Sequence, residues 1–237
     1  MIENVLLDLD DTLLSFIKSE KRAIKRTLKA LGLKHGNYEA RLYSAVNAEM
    51  WKKLEKGEMT RAEILVERFR ILFQKLDVTA DALKAKEIYE ENLKNSCFFV
   101  RGAKRFLKRA HKKYRLYLVS NGTAAVQDRR IRLAGIERYF DGIFISERVG
   151  AVKPDKAFFD ACFSAIPDFS RDKTVIAGDS LSSDIAGGKN AGIRTCLFAP
   201  KSGKEAPYEG AGKKTGSVIP DYRVKSLNGL LKLLKRI

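Results

Sequence analysis

Apolar and polar positions along the chain fall into two rhythms. Residues 4–9, Asn-Val-Leu-Leu-Asp-Leu, make a brief apolar run that ends among acids, which predicts a short buried strand. From about residue 16 the spacing turns to i, i+3, i+4 and stays so for roughly eighty residues. Helices are predicted over 17–31, 39–56, 60–76 and 79–95. Gly57 is placed to end the second of these, and Thr60 with Glu63 has the spacing of a capping box that opens the third. After Cys97 the rhythm changes again. Apolar runs at 116–119, 142–145, 174–177 and 195–198 alternate with helical stretches, the pattern of a parallel sheet covered by helices on both faces. The expected fold is therefore α/β, a Rossmann-like parallel sheet. Its core would comprise residues 1–15 and 96–237, and the helical block 16–95 would be an insertion after the first strand. Residues 200–220, rich in Gly, Lys, Ser and Pro, read as a long surface loop, and 226–237 as an amphipathic helix with Leu227, Leu230, Leu231 and Leu234 on one side.

Composition changes this picture little, except in charge. Apolar residues make up 45% of 237, enough to bury a core. No run approaches the roughly eighteen apolar residues of a membrane span, and the first residues lack the pattern of a signal peptide. Three widely spaced cysteines, Cys97, Cys162 and Cys196, fit reduced thiols in a cytoplasmic protein. The formal net charge is +17. Residues 101–115 carry eight basic side chains and no acid, with Ala103, Phe106, Leu107 and Ala110 at helical spacing. That arrangement favours a packed apolar face under a solvated basic one. A nucleic-acid-binding protein is the reading from another class, because lysine and arginine displace counterions from phosphates.

Four short segments carry candidate chemistry. Asp8, Asp10 and Asp11 crowd the end of the first strand, and their repulsion is best relieved by a divalent cation, with magnesium suited to carboxylates and water. A polar turn capping the next helix would account for Asp11 or Thr12 alone. Ser120-Asn121-Gly122 follows the 116–119 strand and offers a hydroxyl and backbone N–H groups to an oxyanion, although Asn-Gly is also an ordinary turn. Lys153-Pro154-Asp155 supplies a cation on a loop held by proline. Asp179 and Asp184 follow the 174–177 strand and are spaced to face one cation. In a doubly wound sheet all four segments lie beyond the carboxyl ends of the strands, where such folds bind ligands.

In this order the segments DLDDT, SNG, KPD and GDSLSSD resemble the signature of the haloacid dehalogenase-like (HAD) superfamily over residues 4 to about 198. The helical block resembles that superfamily's C1-type cap. The stretches AVNAEMWKKLEKGEMTRAEILVERF, ISERVGAVKPDKAFFD and GDSLSSDIAGGKNAGIRTC further resemble YjjG-type pyrimidine 5′-nucleotidases. The resemblance implies a magnesium-dependent phosphatase acting on a small phosphate monoester, with a nucleoside 5′-monophosphate as first choice. Asp8 would be the nucleophile, forming an aspartyl-phosphate, and Asp10 the acid and base. Magnesium would be bound by Asp8, Asp10 through its carbonyl, Asp179 and Asp184. Ser120, Asn121, Gly122 and Lys153 would bind phosphate. Asp10 favours phosphoryl transfer over dehalogenation, since a departing halide needs no proton. A sugar-phosphate or other metabolite phosphatase, or a phosphomutase, is the alternative within the fold. Asn47 and Trp51, one helical turn apart, are candidates for reading the leaving group, against an equal alternative that Trp51 anchors the helical core. His35 and His111 are expected at the surface without a role.

Overall fold

The computed structural model describes residues 1–200 and 218–237. The 200–220 loop expected from composition falls mostly outside those residues. The chain divides into two compact units, Met1–Ser15 with Phe98–Ile237 and, between them, Phe16–Cys97.

The first unit holds β1 (Asn4–Leu7), α5 (Ala103–Ala110), β2 (Arg115–Ser120), α6 (Ala124–Ala134), β3 (Gly142–Ile145), α7 (Ser146–Val149), α8 (Lys156–Ser164), β4 (Thr174–Gly178), a π-helical turn (Leu181–Ile185), α9 (Ala186–Asn190), β5 (Arg194–Phe198), β6 (Tyr222–Val224) and α10 (Leu227–Leu234). All six strands are parallel, in the order β3-β2-β1-β4-β5-β6. The first strand lies at the centre, so the chain winds outward in both directions and leaves a crevice beyond β1 and β4. Alternation along the strands sends Leu6, Tyr117, Val119 and Ile176 to one face, where Phe158, Phe159, Cys162 and Phe163 of α8 cover them. Their neighbours Val5, Leu7, Leu116, Leu118, Val175 and Ala177 are buried as well. Burial of both faces explains why the strands read as continuous apolar runs.

The amphipathic segment after residue 101 forms α5 with Ala103, Phe106, Leu107 and Ala110 buried and its basic side chains exposed. It is shorter than the basic run, because the chain turns at 111–114 to enter β2. The C-terminal helix buries Leu227, Leu230, Leu231 and Leu234, and Ser226 caps it by accepting from the Gly229 N–H. Strand β6 was not expected: three residues, only one of them buried, leave too little pattern to find.

The second unit is a bundle of α1 (Phe16–Ala30), α2 (Asn37–Glu55), α3 (Arg61–Lys75) and α4 (Ala82–Lys94). Thr60 and Glu63 form the expected reciprocal capping box at the start of α3. Tyr43, Phe69 and Tyr89 meet at the centre, with ring centroids 5.0–5.6 Å apart. The guanidinium of Arg68 is buried over these rings, 4.8 Å from that of Tyr89. Among the described residues, no helix is long and apolar enough to cross a membrane.

Candidate active site

The three central strands each end in a chemically loaded residue. Leu7 closes β1 and Asp8 follows; β2 ends on Ser120; Gly178 closes β4 and Asp179 follows. Parallel registration holds these ends level, with Leu7 opposite both Leu118 and Ala177. Beyond β1 the chain folds sharply back. Asp11 adopts a left-handed φ of 55°, which a short polar side chain tolerates better than a branched one, and its N–H donates to the Leu14 carbonyl.

One carboxylate oxygen from each of Asp8, Asp179 and Asp184 lies within 4.8 Å of the other two. Two of these acids share a buried lysine. Lys153 Nζ donates to Asp8 Oδ1 at 2.8 Å, to Asp184 Oδ1 at 2.6 Å and to the Val119 carbonyl at 3.0 Å. All three ammonium protons are thereby used. Burial opposes the lysine's charge, but the adjoining Asp184 and Asp8 more than offset it and hold the ammonium above the ordinary lysine range. Burial pushes the Asp8 carboxyl up to about 7, against the pull of Lys153 and with added repulsion from Asp184 and Asp10. Asp179 keeps some exposed surface, yet its carboxyl is enclosed by protein. Desolvation first, then the charges of Asp8, Asp184 and Asp11, raise it well above the usual carboxylate range.

The donor set fits a small hard dication. Once ionised, three carboxylates against one ammonium leave two negative charges uncompensated, and their oxygens, within 4.8 Å of one another, lie close to the roughly 4.2 Å that two opposed bonds of about 2.1 Å span. Gly178 makes room for this arrangement: a Cβ there would stand 2.1 Å from Asp184 Oδ2. The π-helical turn carries Asp184 back over the end of β4, where its Oδ2 accepts the Ser180 N–H at 3.1 Å.

The remaining expected residues divide. Asn121 uses its side chain to clamp the Lys153 backbone, donating to the carbonyl and accepting the N–H, each at 2.8 Å. Its carboxamide therefore sets the lysine loop. The Gly122 N–H donates to Ser120 Oγ at 3.2 Å. The Asp10 side chain stands apart from the acid cluster. Its Oδ1 accepts from Arg130 at 2.6 Å and its Oδ2 from Gln127 at 2.7 Å.

Asn47 is in the interior of the bundle. It donates to Glu20 at 2.8 Å and accepts from Arg68 at 3.0 Å, so both ends of the amide are engaged there. Trp51 is half-buried, with the Arg61 guanidinium 5.6 Å from its ring. His35 and His111 are exposed.

Sequence reading missed Gln127 and Arg130. Both are buried polar residues on α6, three apart and thus on one face. The signal was faint, because an arginine in Gln-Asp-Arg-Arg-Ile-Arg reads as surface charge.

Comparison with known proteins identifies relatives over most of the chain. Residues 2–192 match the family model of haloacid dehalogenase-like hydrolases. The chain is 34% identical to the pyrimidine 5′-nucleotidase PynA of Streptococcus pneumoniae over 83% of each protein. It is 29% identical to the pyrimidine 5′-nucleotidase YjjG of Escherichia coli, over 97% of this chain and 96% of that one. The crystal structure of the HAD-hydrolase YfnB from Bacillus subtilis, bound to magnesium, superposes with a TM-score of 0.89 at 31% identity and covers 98% of both chains. With its motifs gathered at one sheet edge and a family match over most of its length, this chain belongs to the haloacid dehalogenase-like hydrolase family.

Proposed function

We propose that this phosphomonoester hydrolase is magnesium-dependent, works through an aspartyl-phosphate on Asp8, and takes a nucleoside 5′-monophosphate as substrate. The observation that carries the reading is the convergence of Asp8, Asp179 and Asp184 on one point beside Lys153. Magnesium bound by these carboxylates and the Asp10 carbonyl would offset repulsion between Asp8 and the anionic phosphate. Asp8 attacks phosphorus as the ester bond breaks, and Asp10 gives its proton to the departing alkoxide. In the second step Asp10 takes a proton from water, and the water oxygen displaces Asp8 from phosphorus. Ser120 through its hydroxyl and Asn121 through its backbone amide supply donors to the equatorial oxygens, and Lys153 supplies positive charge. The Gly122 N–H, expected from the sequence to bind phosphate, holds Ser120 Oγ instead.

The substrate rests on PynA and YjjG, both pyrimidine 5′-nucleotidases across most of this chain's length. We assign choice of leaving group to the helical unit, as a cap, with Trp51 as the residue to test. Phosphate release would be measured from nucleoside monophosphates and sugar phosphates, with magnesium or with EDTA, for wild type and Asp8→Asn. The expected result is magnesium-dependent release, highest on pyrimidine nucleotides and absent in the variant. Release that survives EDTA or Asp8→Asn would overturn the mechanism, and a preference for sugar phosphates would overturn the substrate.

A further inference from the structure

Arg130 is fully buried, Gln127 is 2% exposed, and their two side chains converge on a pair of groups outside the acid cluster. Gln127 Nε2 donates to Asp10 Oδ2 at 2.7 Å and to Ser120 Oγ at 2.8 Å, while its Oε1 accepts from Arg130 at 2.7 Å. Arg130 donates to the other Asp10 oxygen at 2.6 Å. We propose that Gln127 and Arg130 are positioning residues that hold the Asp10 carboxyl and the Ser120 hydroxyl as one prearranged unit. This rests on the assignment of Asp10 as acid and base and of Ser120 as a phosphate donor.

Three features support it. A guanidinium is seldom fully buried, and here it lies against a carboxyl that keeps 28% of its side-chain surface exposed. With Gln127 on the other oxygen, such a pair fixes the carboxyl at both oxygens while part of its surface stays open to solvent. Secondly, Ser120 Oγ accepts two hydrogen bonds, from Gln127 and from the Gly122 N–H. With its acceptor positions filled, the hydroxyl proton is the part left to donate outward, the role an anionic oxygen requires. Thirdly, the turn is shaped around the amide. A Cβ on residue 122 would meet Gln127 Nε2 at 2.4 Å and its Cγ at 2.5 Å, so the absence of a side chain lets Gln127 fold back over the turn.

A structural tie between α6 and the β1 turn would give the same hydrogen bonds, but not the same kinetics. Asp10 matters most when the leaving group is basic. An alkoxide needs its proton, whereas p-nitrophenolate leaves without one. The measurement is kcat/KM with magnesium for p-nitrophenyl phosphate and for the alkyl phosphate that wild type cleaves best. It would be made on wild type, Arg130→Met, Arg130→Lys, Asp10→Asn and the double variant Asp10→Asn/Arg130→Met. Arg130→Met is expected to lose on the order of 10²-fold on the alkyl ester, the scale of a displaced catalytic group. On the aryl ester it should lose less than about 3-fold, because that step does not use the acid. Arg130→Lys should recover part of the alkyl activity. In the Asp10→Asn background, Arg130→Met should change the alkyl rate by less than about 3-fold, since the two act through one group. Equal losses on both esters, or additive losses in the double variant, would reduce Arg130 to a structural tie and overturn the proposal. If Arg130→Met does not fold, Gln127→Leu gives the reading: losses on both esters because Ser120 is released too, with the larger on the alkyl ester, and an equal or absent loss refutes. If wild type cleaves neither ester, the phosphatase assignment itself falls and this proposal with it. An active wild type with unchanged variants refutes the positioning role alone.

Discussion

Replacing Lys153 with methionine removes the cation held between Asp8 and Asp184 while leaving the volume nearly filled. At an effective dielectric near 20, the contacts of 2.8 and 2.6 Å are each worth about 6 kcal/mol of Coulomb attraction, largely offset by the cost of desolvating the ions. What remains after one partner of a buried pair is removed is typically about 3–5 kcal/mol. Protonation sets a limit on the loss. The variant can neutralise one further carboxylate on folding. For a group with an unfolded pKa of about 3.9, that costs about 4 kcal/mol at pH 7 and about 1.5 kcal/mol at pH 5. The sign follows from linkage. Lys153 is held above the ordinary lysine range, so it stays charged in both states below about pH 10, and the dependence over pH 5–7 comes from the carboxylates alone. The variant binds more protons when folded than wild type does, so its deficit grows as pH rises and shrinks as pH falls. Calorimetry in EDTA should show the transition of the sheet unit lowered by about 8–16 °C at pH 7 and by clearly less at pH 5. A deficit independent of pH, or one larger at pH 5, would refute the idea that the loss is electrostatic.

Three further outcomes follow from other contacts. Gly178→Ala is expected to displace Asp184, since the new Cβ would stand 2.1 Å from Oδ2, and to weaken stabilisation by added magnesium far more than fold stability in EDTA. Titrating the thermal midpoint with magnesium checks this, and an unchanged response would refute it. Arg68→Leu removes the buried guanidinium that donates to Asn47, whose amide in turn donates to Glu20, and should destabilise the helical unit by about 2 kcal/mol, read through the fluorescence of Trp51, the chain's only tryptophan. Burial pushes the Cys162 and Cys196 thiols up to about 12, so at pH 8 a thiol reagent should modify only the less buried Cys97 in the native protein. Mass spectrometry of the labelled peptides would show it, and rapid labelling of Cys196 would contradict the buried assignment.

Much of this architecture was legible in the chain because periodicity and punctuation are local. The expected strands at 116–119, 142–145, 174–177 and 195–198 lie within or coincide with β2, β3, β4 and β5, and the four long helices shift by at most three residues at either end. Thr60 and Glu63 announce their helix because a capping box needs only residues three apart. Short elements were harder. Strand β6 and the π-helical turn have too few residues to establish a period. Polar residues inside the protein were harder still, because Arg130, Asn47 and Arg68 are the residue types found on surfaces.

The sequence by itself determined that acids follow the first and fourth strands, that a hydroxyl and an Asn-Gly turn follow the second, and that a lysine stands before Pro154. Their family resemblance followed from the order of these motifs. Only the tertiary structure decided how the charges are shared. Lys153 gives all three protons to acceptors drawn from three separate loops and strands, Asn121 spends its side chain on the lysine loop, and Asp10 turns from the acid cluster toward Gln127 and Arg130. Motifs record which groups a loop carries. Which of them meet depends on parallel registration of strands more than a hundred residues apart, and on where a buried charge must find its partner.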